Sequence, residues 1–505
     1  MPTLHPRSDY SEFNLEPTPP SAVVVDSNPF VDDVPQAFAR LAAHGDLLAG
    51  GDSGVFDGDR AYRYTSLNQR GLNAGVNHLQ GMQRLRRGQY VIVSAGDSTE
   101  PMSHLFVVRM GTRRAQGPWG SNLLHTGVPP DEDGFVRVIA LDRDRWHAGG
   151  LGLTGEILAV PLEGGGRSRV IFLDVRDPEN PTCFPANIER PGFPKAGAVA
   201  LAKLPDGRFV CIVWREEGGE KPVGRFDFYL SHNDRFFDGF QAEALTLRFP
   251  GLRAGTNRDP QYQTIVLLSP RDVGGGAVVM HLIGCENESA LSPFGNGANL
   301  ADLFELRLHP DMLGNAPNGQ MPSLEHLDTR EFHAPREYCN LDAASGLYLA
   351  EGDAGPEGTG SVQLALYGAY HWRVDRTIRF AEFRARPDPA SVVTDLADAW
   401  VDLYEHDKFR GRRLSVYGTD EAAIANYREI YVQDGDFNER VSSVRYHIPN
   451  GWRYRLYREP DFAGTRANRD YLDLRGTGVA EEIANLKRRK FGDAVSSSRF
   501  VQSGA

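Results

Sequence analysis

Six acidic residues, Asp52, Asp97, Glu163, Glu216, Glu286 and Asp353, each close a strongly apolar run at or beside a glycine-rich turn. Convergent carboxylates are the chemistry of glycoside cleavage, where one protonates the leaving oxygen and another attacks or activates water. A second set of polar residues, His78, His147, Lys195, Gln261 and Asn340, opens the segments HLQGM, HAGGL, KAGAV, QYQTI and NLDAA. Brought to one level, these five would ring an axis with hydrogen-bonding groups, and the two histidines could ligate a metal. The plainer alternative is a polar lining that orders water. Catalysis has less behind it than these residue types suggest. One acid per turn is also what a solvated hairpin supplies, and none of the acids falls at the aligned positions of the second set, Asp342 being the nearest. Neither a Gly-x-Ser-x-Gly elbow with plausible partners nor a phosphate-cradling GxxxxGK[ST] loop is present.

The acids recur 45 to 70 residues apart. That period is long for a solenoid but suits a four-stranded propeller blade with loop insertions. The runs bearing them, DLLAGGD, YVIVSAGD, EILAVPLEG, FVCIVWREEGG, AVVMHLIGCENE and LYLAEGD, read as the second strand of each blade. Strands covered on both faces are near-continuously apolar, whereas a sandwich alternates more cleanly. The reading is therefore an all-β chain with a β-propeller over 21–386. Six blades follow if LAAHGDLLAGGDSG counts as a repeat matching LDAASGLYLAEGDAG, and five if it is only a lead-in. SAVVVDS at 21–27 is a candidate closing strand. VPQAFARLAA is the best helical segment, residues 1–20 read as a disordered tail, and the Pro/Asp-rich stretch 387–398 reads as a linker.

Behind the linker, 399–505 reads as a separate β domain. YEHDKFRG (Tyr404, Phe409, Gly411) and YREPDFAG (Tyr457, Phe462, Gly464) repeat one spacing, and roughly 30 residues after each come FNERVSSVRY and FGDAVSSSRF. A folded-over hairpin needs the positive φ that glycine allows, with the aromatic packed across it. The Tyr-x4-Phe-x-Gly pair, the intervening IPNGWRYRLY and the duplicated VSS turns together make 401–502 resemble the βγ-crystallin family. The resemblance implies a double Greek key and, as in microbial members, calcium held by paired turns. Carried onto this chain, it makes Ser442 and Ser496 hydroxyl ligands, Glu439 and Asp493 carboxylate ligands, and Arg440 and Ala494 carbonyl donors. Such oxygens suit calcium. Two positions depart from the family's turn: Glu439 replaces a shorter Asn or Asp, and Gly492 carries no side-chain oxygen. The alternative is that the serines only satisfy local backbone groups.

A net charge of −12 and a pI near 5.7 argue against a general nucleic-acid binder, which needs a basic surface. The basic run Lys487–Lys490 is short enough to be solvated surface. The four cysteines are widely spaced, without a CxxC pair, and Cys211 within FVCIVW reads as a buried free thiol. The sequence shows neither an apolar stretch of membrane-span length nor a signal-peptide core. These observations favour a non-catalytic calcium-binding protein whose propeller presents a face to a glycan or protein. The competing reading is a propeller-based glycan hydrolase with the crystallin-like domain as accessory module.

Overall fold

A computed structural model describes residues 15–49, 77–109, 125–126 and 134–502, less short stretches within them, the longest being 250–258, 288–297, 310–321, 333–340 and 352–361. The described chain is nearly all β, as expected. The helical segment forms a single α-helix, Val34–Ala39, capped by the Asp33 side chain, which accepts from the Gln36 amide at 2.9 Å.

Before residue 386 the strands form a propeller-like set of sheets. Nine strands share one sheet, but a single parallel pair, Gly81 with Ser345, divides it. On one side the first sheet runs outward from Asn77–Arg84 through Tyr90–Asp97 and Met102–Arg109 to Gly134–Ala140, with the two-residue strand His125–Thr126 parallel to it at the edge. On the other side the fifth runs outward from Ser345–Glu351 through Val362–Trp372 and Thr377–Arg384 to Asp46–Ala49. Between them in sequence lie three more. The second sheet pairs His147–Ala148 and Gly152–Thr154 with Ile157–Gly164, then Arg167–Asp174 and Thr182–Arg190. The third is Ala198–Lys203, Phe209–Glu217, Val223–Leu230 and Leu245–Arg248. The fourth is Thr264–Asp272, Val278–Asn287, Asn299–Leu308 and Ser323–Phe332.

Each pair of successive sheets shares a hydrophobic core. Successive side chains on a strand point to opposite faces. Ile265 and Leu267 accordingly join the cluster with Trp214 and Phe226 of the third sheet, while Val266 and Leu268 join that with Leu364 and Leu366 of the fifth. This two-sided burial is why the second strands read as unbroken apolar runs; every residue from Phe209 to Arg215 is buried.

The innermost strands approach so closely that several positions admit only glycine. A Cβ at Gly81 would lie 2.6 Å from the Leu151 amide nitrogen, and one at Gly150 would collide with the Gln263 carbonyl. Gly150→Ala forces backbone apart between the second and fourth sheets, where no flexible side-chain end can yield. Urea unfolding should show it less stable by roughly 1–3 kcal/mol, the range of overpacked cores; an unchanged midpoint would mean that the inner strands are not in contact.

Two strand assignments are corrected. DLLAGGD is not a second strand: Asp46–Ala49 pairs antiparallel with Thr377–Arg384 at the outer edge of the fifth sheet. LYLAEGD lies in the innermost strand of that same sheet. The two segments matched in the six-blade count thus hold opposite edges. The described residues of 21–27 carry no strand, so SAVVVDS does not close the ring in the described part of the structure. Nor is the proposed tail wholly free. Glu16 and Thr18 exchange backbone hydrogen bonds with Cys183 at 2.9 and 2.8 Å.

From 400 onward two four-stranded sheets pack around one core. One comprises Arg410–Tyr417, Trp400–His406, Ser443–His447 and Ala480–Ile483; the other Ala423–Ile424, Ser497–Gln502, Trp452–Tyr457 and Tyr471–Arg475. Each takes an edge strand from the other repeat. The hairpin geometry is duplicated: Lys408 and Phe409 have φ of 56° and 59°, Asp461 and Phe462 of 55° and 59°. Tyr404 stacks edge-on to Phe409 at 5.6 Å and Tyr457 to Phe462 at 5.7 Å. The Phe409 amide donates to Ser443 Oγ at 3.0 Å, and the Phe462 amide to Ser497 Oγ at 3.1 Å.

The stretch 387–398 is docked: the Val393 amide donates to the Gly478 carbonyl at 2.8 Å. Arg386, just before it, reaches into the C-terminal unit. Its guanidinium donates to both Asp402 oxygens at 2.9 and 3.0 Å and to Ser415 Oγ at 2.9 Å, and lies over the Trp400 and Tyr417 rings.

Candidate functional site

A cleft of about 550 Å³ opens where the innermost strands begin, lined from the first four sheets. Its charged wall is built by strand pairing. His147 lies directly across from Glu163, and the Lys195 segment follows from the outer strand of the same sheet. Glu163 Oε1 lies 3.1 Å from Lys195 Nζ and 3.3 Å from His147 Nδ1, and Oε2 accepts the Ala196 amide at 2.5 Å. Burial pushes its carboxyl up, but hydrogen bonding and charge from His147, the Lys195 ammonium and the Ala196 amide outweigh this and hold it at about 2. Glu163 is thus a fixed anion at neutral pH. Glu216, from the second strand of the third sheet, lines the same cleft beside Arg215, and Trp146 contributes a half-buried aromatic wall.

Two of the acids are therefore not simply solvated hairpin residues. Glu163 and Glu286 are buried, and Glu286 repeats the motif by accepting the Gln261 amide at 2.6 Å. Of the proposed ring, the structure brings His147 and Lys195 together through Glu163, while Gln261 contacts Glu286 through its backbone. His78 lies in the innermost strand of the first sheet, paired with Gly96, its side chain being outside the described residues. Asn340 also lies outside them, with Asp52, Asp342 and Asp353. No group of three or more His, Cys, Asp or Glu able to hold a metal ion occurs among the described residues.

Sequence reasoning missed the network behind the cleft. Asp227, fully buried, accepts from Arg190 Nη2 at 2.8 Å, Arg215 Nε at 2.7 Å and Thr246 Oγ1 at 2.7 Å. Arg190 also donates to the Lys195 carbonyl at 3.1 Å, and both guanidiniums lie over the Phe193 ring. The loop carrying Lys195 is fastened from below by these contacts. The one available signal was Asp227 inside the otherwise apolar and aromatic FDFYL.

The C-terminal turns are tied reciprocally. The Glu439 amide donates to the Val495 carbonyl and the Asp493 amide to the Val441 carbonyl, both at 2.9 Å, with φ of 54° and 53° at the two acids. Ser442 Oγ donates to Asp493 Oδ1, joining a serine of one turn to the acid of the other. Asp493 Oδ2 lies 2.7 Å from Lys487 Nζ. Burial would raise the Asp493 carboxyl, but bonds from Lys487 and Ser442 bring it below the usual range. Hydroxyl, carboxylate and carbonyl oxygens converging from both turns are of the type calcium takes. Of the residues expected to hold calcium, the structure joins Ser442 of the first turn to Asp493 of the second, and the backbone at Glu439 to that at Val495.

No protein-family model matches the chain, and no curated protein matches it. Among solved structures, one from a study of the evolution of the eye-lens βγ-crystallin domain fold is 19% identical, spanning 22% of this chain and 91% of that one, with a TM-score of 0.16. The Bombyx mori β-fructofuranosidase solved with sucrose is 12% identical over 87% of this chain and 94% of its own, TM-score 0.31. The Malassezia sympodialis major allergen Mala s 1 is 11% identical over 63% and 79%, TM-score 0.29. Likenesses this distant do not say what the chain does.

Proposed function

We propose that the chain is a glycan hydrolase built on a five-bladed propeller, with a double Greek key of βγ-crystallin type behind it. The observation that carries the catalytic reading is that Glu163 and Glu216, acids from neighbouring sheets, line one cleft. Glu163, held ionised, suits the anionic partner of a carboxylate pair. Glu216 would be the proton donor, with Lys195 and Arg215 binding sugar hydroxyls and Trp146 offering an apolar face. Five blades are supported by the succession of sheets, with Asp46–Ala49 as outer strand of the last.

A second reading, recognition without cleavage, is favoured by Glu163 itself, since both of its oxygens already have protein partners. An oligosaccharide panel should be assayed for binding and hydrolysis by the full chain, Glu163→Gln and Glu216→Gln. Hydrolysis that falls about 10²-fold or more in Glu216→Gln, with binding retained, is the expected result. Binding without turnover in the unmodified chain would select recognition, and neither binding nor turnover would remove both readings.

For the C-terminal unit we propose weak calcium binding at the paired turns, where the metal would tie the two repeats together. The reciprocal hydrogen bonds between the turns support this reading. We take the propeller as 21–386 and the C-terminal unit as 399–505, the intervening segment being packed against the latter.

A further inference from the structure

We propose that Lys487 is a tethered cation that holds the place of calcium at Asp493, so that the metal binds there only by displacing it. This rests on the calcium reading above and names what sets the affinity.

Both oxygens of Asp493 are engaged, one by the hydroxyl of Ser442 from the opposite turn and one by the Lys487 ammonium at 2.7 Å. Two groups that would share a metal are thus joined without one. The placement of Lys487 follows from its backbone. It sits in the short turn Leu486–Arg489, whose Leu486 amide donates to the Ser442 carbonyl at 2.8 Å and whose Leu486 carbonyl accepts from Phe491 at 3.0 Å. The lysine therefore starts beside both calcium turns.

Gly492 completes the arrangement. A Cβ at this position would strike Lys487 Cγ and lie 2.9 Å from the Lys487 amide nitrogen. The first turn carries Asn438 at the matching place. The side chain missing from the second turn and the stem of Lys487 thus claim the same space, and the departure at 492 is the partner of the lysine. The Lys487 side chain is 64% exposed, so its ammonium can swing into water when a divalent ion arrives. An exposed lysine–carboxylate pair is weak and easily exchanged, which makes the lysine a reversible competitor.

The test is calcium titration calorimetry on the chelator-treated full chain, with thermal melts confirming folding. Lys487→Met should bind calcium about two- to fivefold more tightly than the unmodified chain, the gain expected from removing a weak exposed competitor. Lys487→Met/Asp493→Asn should lose that gain, and Lys487→Gln should repeat the first result. Equal affinity in the unmodified chain and both single variants would overturn the competitor role while leaving the calcium reading intact. No calcium binding in any variant would overturn both.

Discussion

Asp227→Ala is expected to destabilise the chain by about 3–5 kcal/mol, the range for breaking a buried ion pair by removing one partner. Asp227 bridges Arg190 and Arg215, the Asp227 and Arg190 side chains have no solvent exposure, and without it Arg215 keeps Glu217 at 3.5 Å while the Arg190 charge is left buried. Removing it strands guanidinium charge in a place water does not reach, and that desolvation term exceeds any gain from deleting one acid. Asp227→Asn keeps an acceptor and should cost less. The damage should also be local to the cleft, because Arg190 then loses the anchor that orients it toward the Lys195 carbonyl. Urea unfolding gives the magnitude, and amide exchange over 193–197 should quicken in the variant. A loss below about 1 kcal/mol would show that the network is solvated.

Arg386→Met should cost about 3 kcal/mol by the same reasoning, slightly offset because Ser415 Oγ still donates to Asp402 at 2.6 Å and Arg413 stands at 3.8 Å. Its pH dependence is the sharper test. In the native chain burial pushes the Asp402 carboxyl up, yet Arg386, Arg413 and Ser415 bring it below the ordinary value. A depressed carboxylate contributes stability above its unfolded pKa of about 4, lost as pH falls through the folded value. Without Arg386, burial is less opposed and the ionised acid becomes a liability. The difference between the two proteins should therefore be largest at neutral pH and shrink toward pH 4. Arg386→Met/Asp402→Asn should recover part of the loss, and a pH-independent difference would point to lost packing on Trp400 and Tyr417 instead. A fragment beginning at 399 suffers the same orphaning of Asp402, so one starting a few residues before Arg386 should be the more stable.

What the sequence disclosed follows the range of the interactions. The C-terminal repeats were legible because tyrosine, phenylalanine and glycine act across eight residues of one hairpin. YVIVSAGD and FVCIVWREEGG were placed correctly because burial on both faces leaves a mark on the strand itself. LYLAEGD was misplaced since an innermost strand is as apolar as its neighbour, and only its pairing with Val362–Trp372 tells them apart. DLLA pairs with residues near the far end of the ring, and a four-residue strand carries no pattern that names a partner. At the cleft, the acids and His147 and Lys195 stood out by type and position. The Arg190–Asp227–Arg215 network did not, because its members come from separate strands and meet only after folding.

The outer strand of the fifth sheet has a consequence for how the protein is made. Asp46–Ala49 leaves the ribosome long before Thr377–Arg384, and at about 5–20 residues per second the wait is on the order of tens of seconds. Intermediate sheets can form one after another in that interval, each against its predecessor. The last one cannot be finished by newly made chain alone, since its edge must recapture a segment synthesised first. Until then an unpaired strand edge stays open to solvent and to other nascent chains. Closure is therefore the step at which a chaperone, or a neighbouring copy offering the same four residues in exchange, has the most to influence.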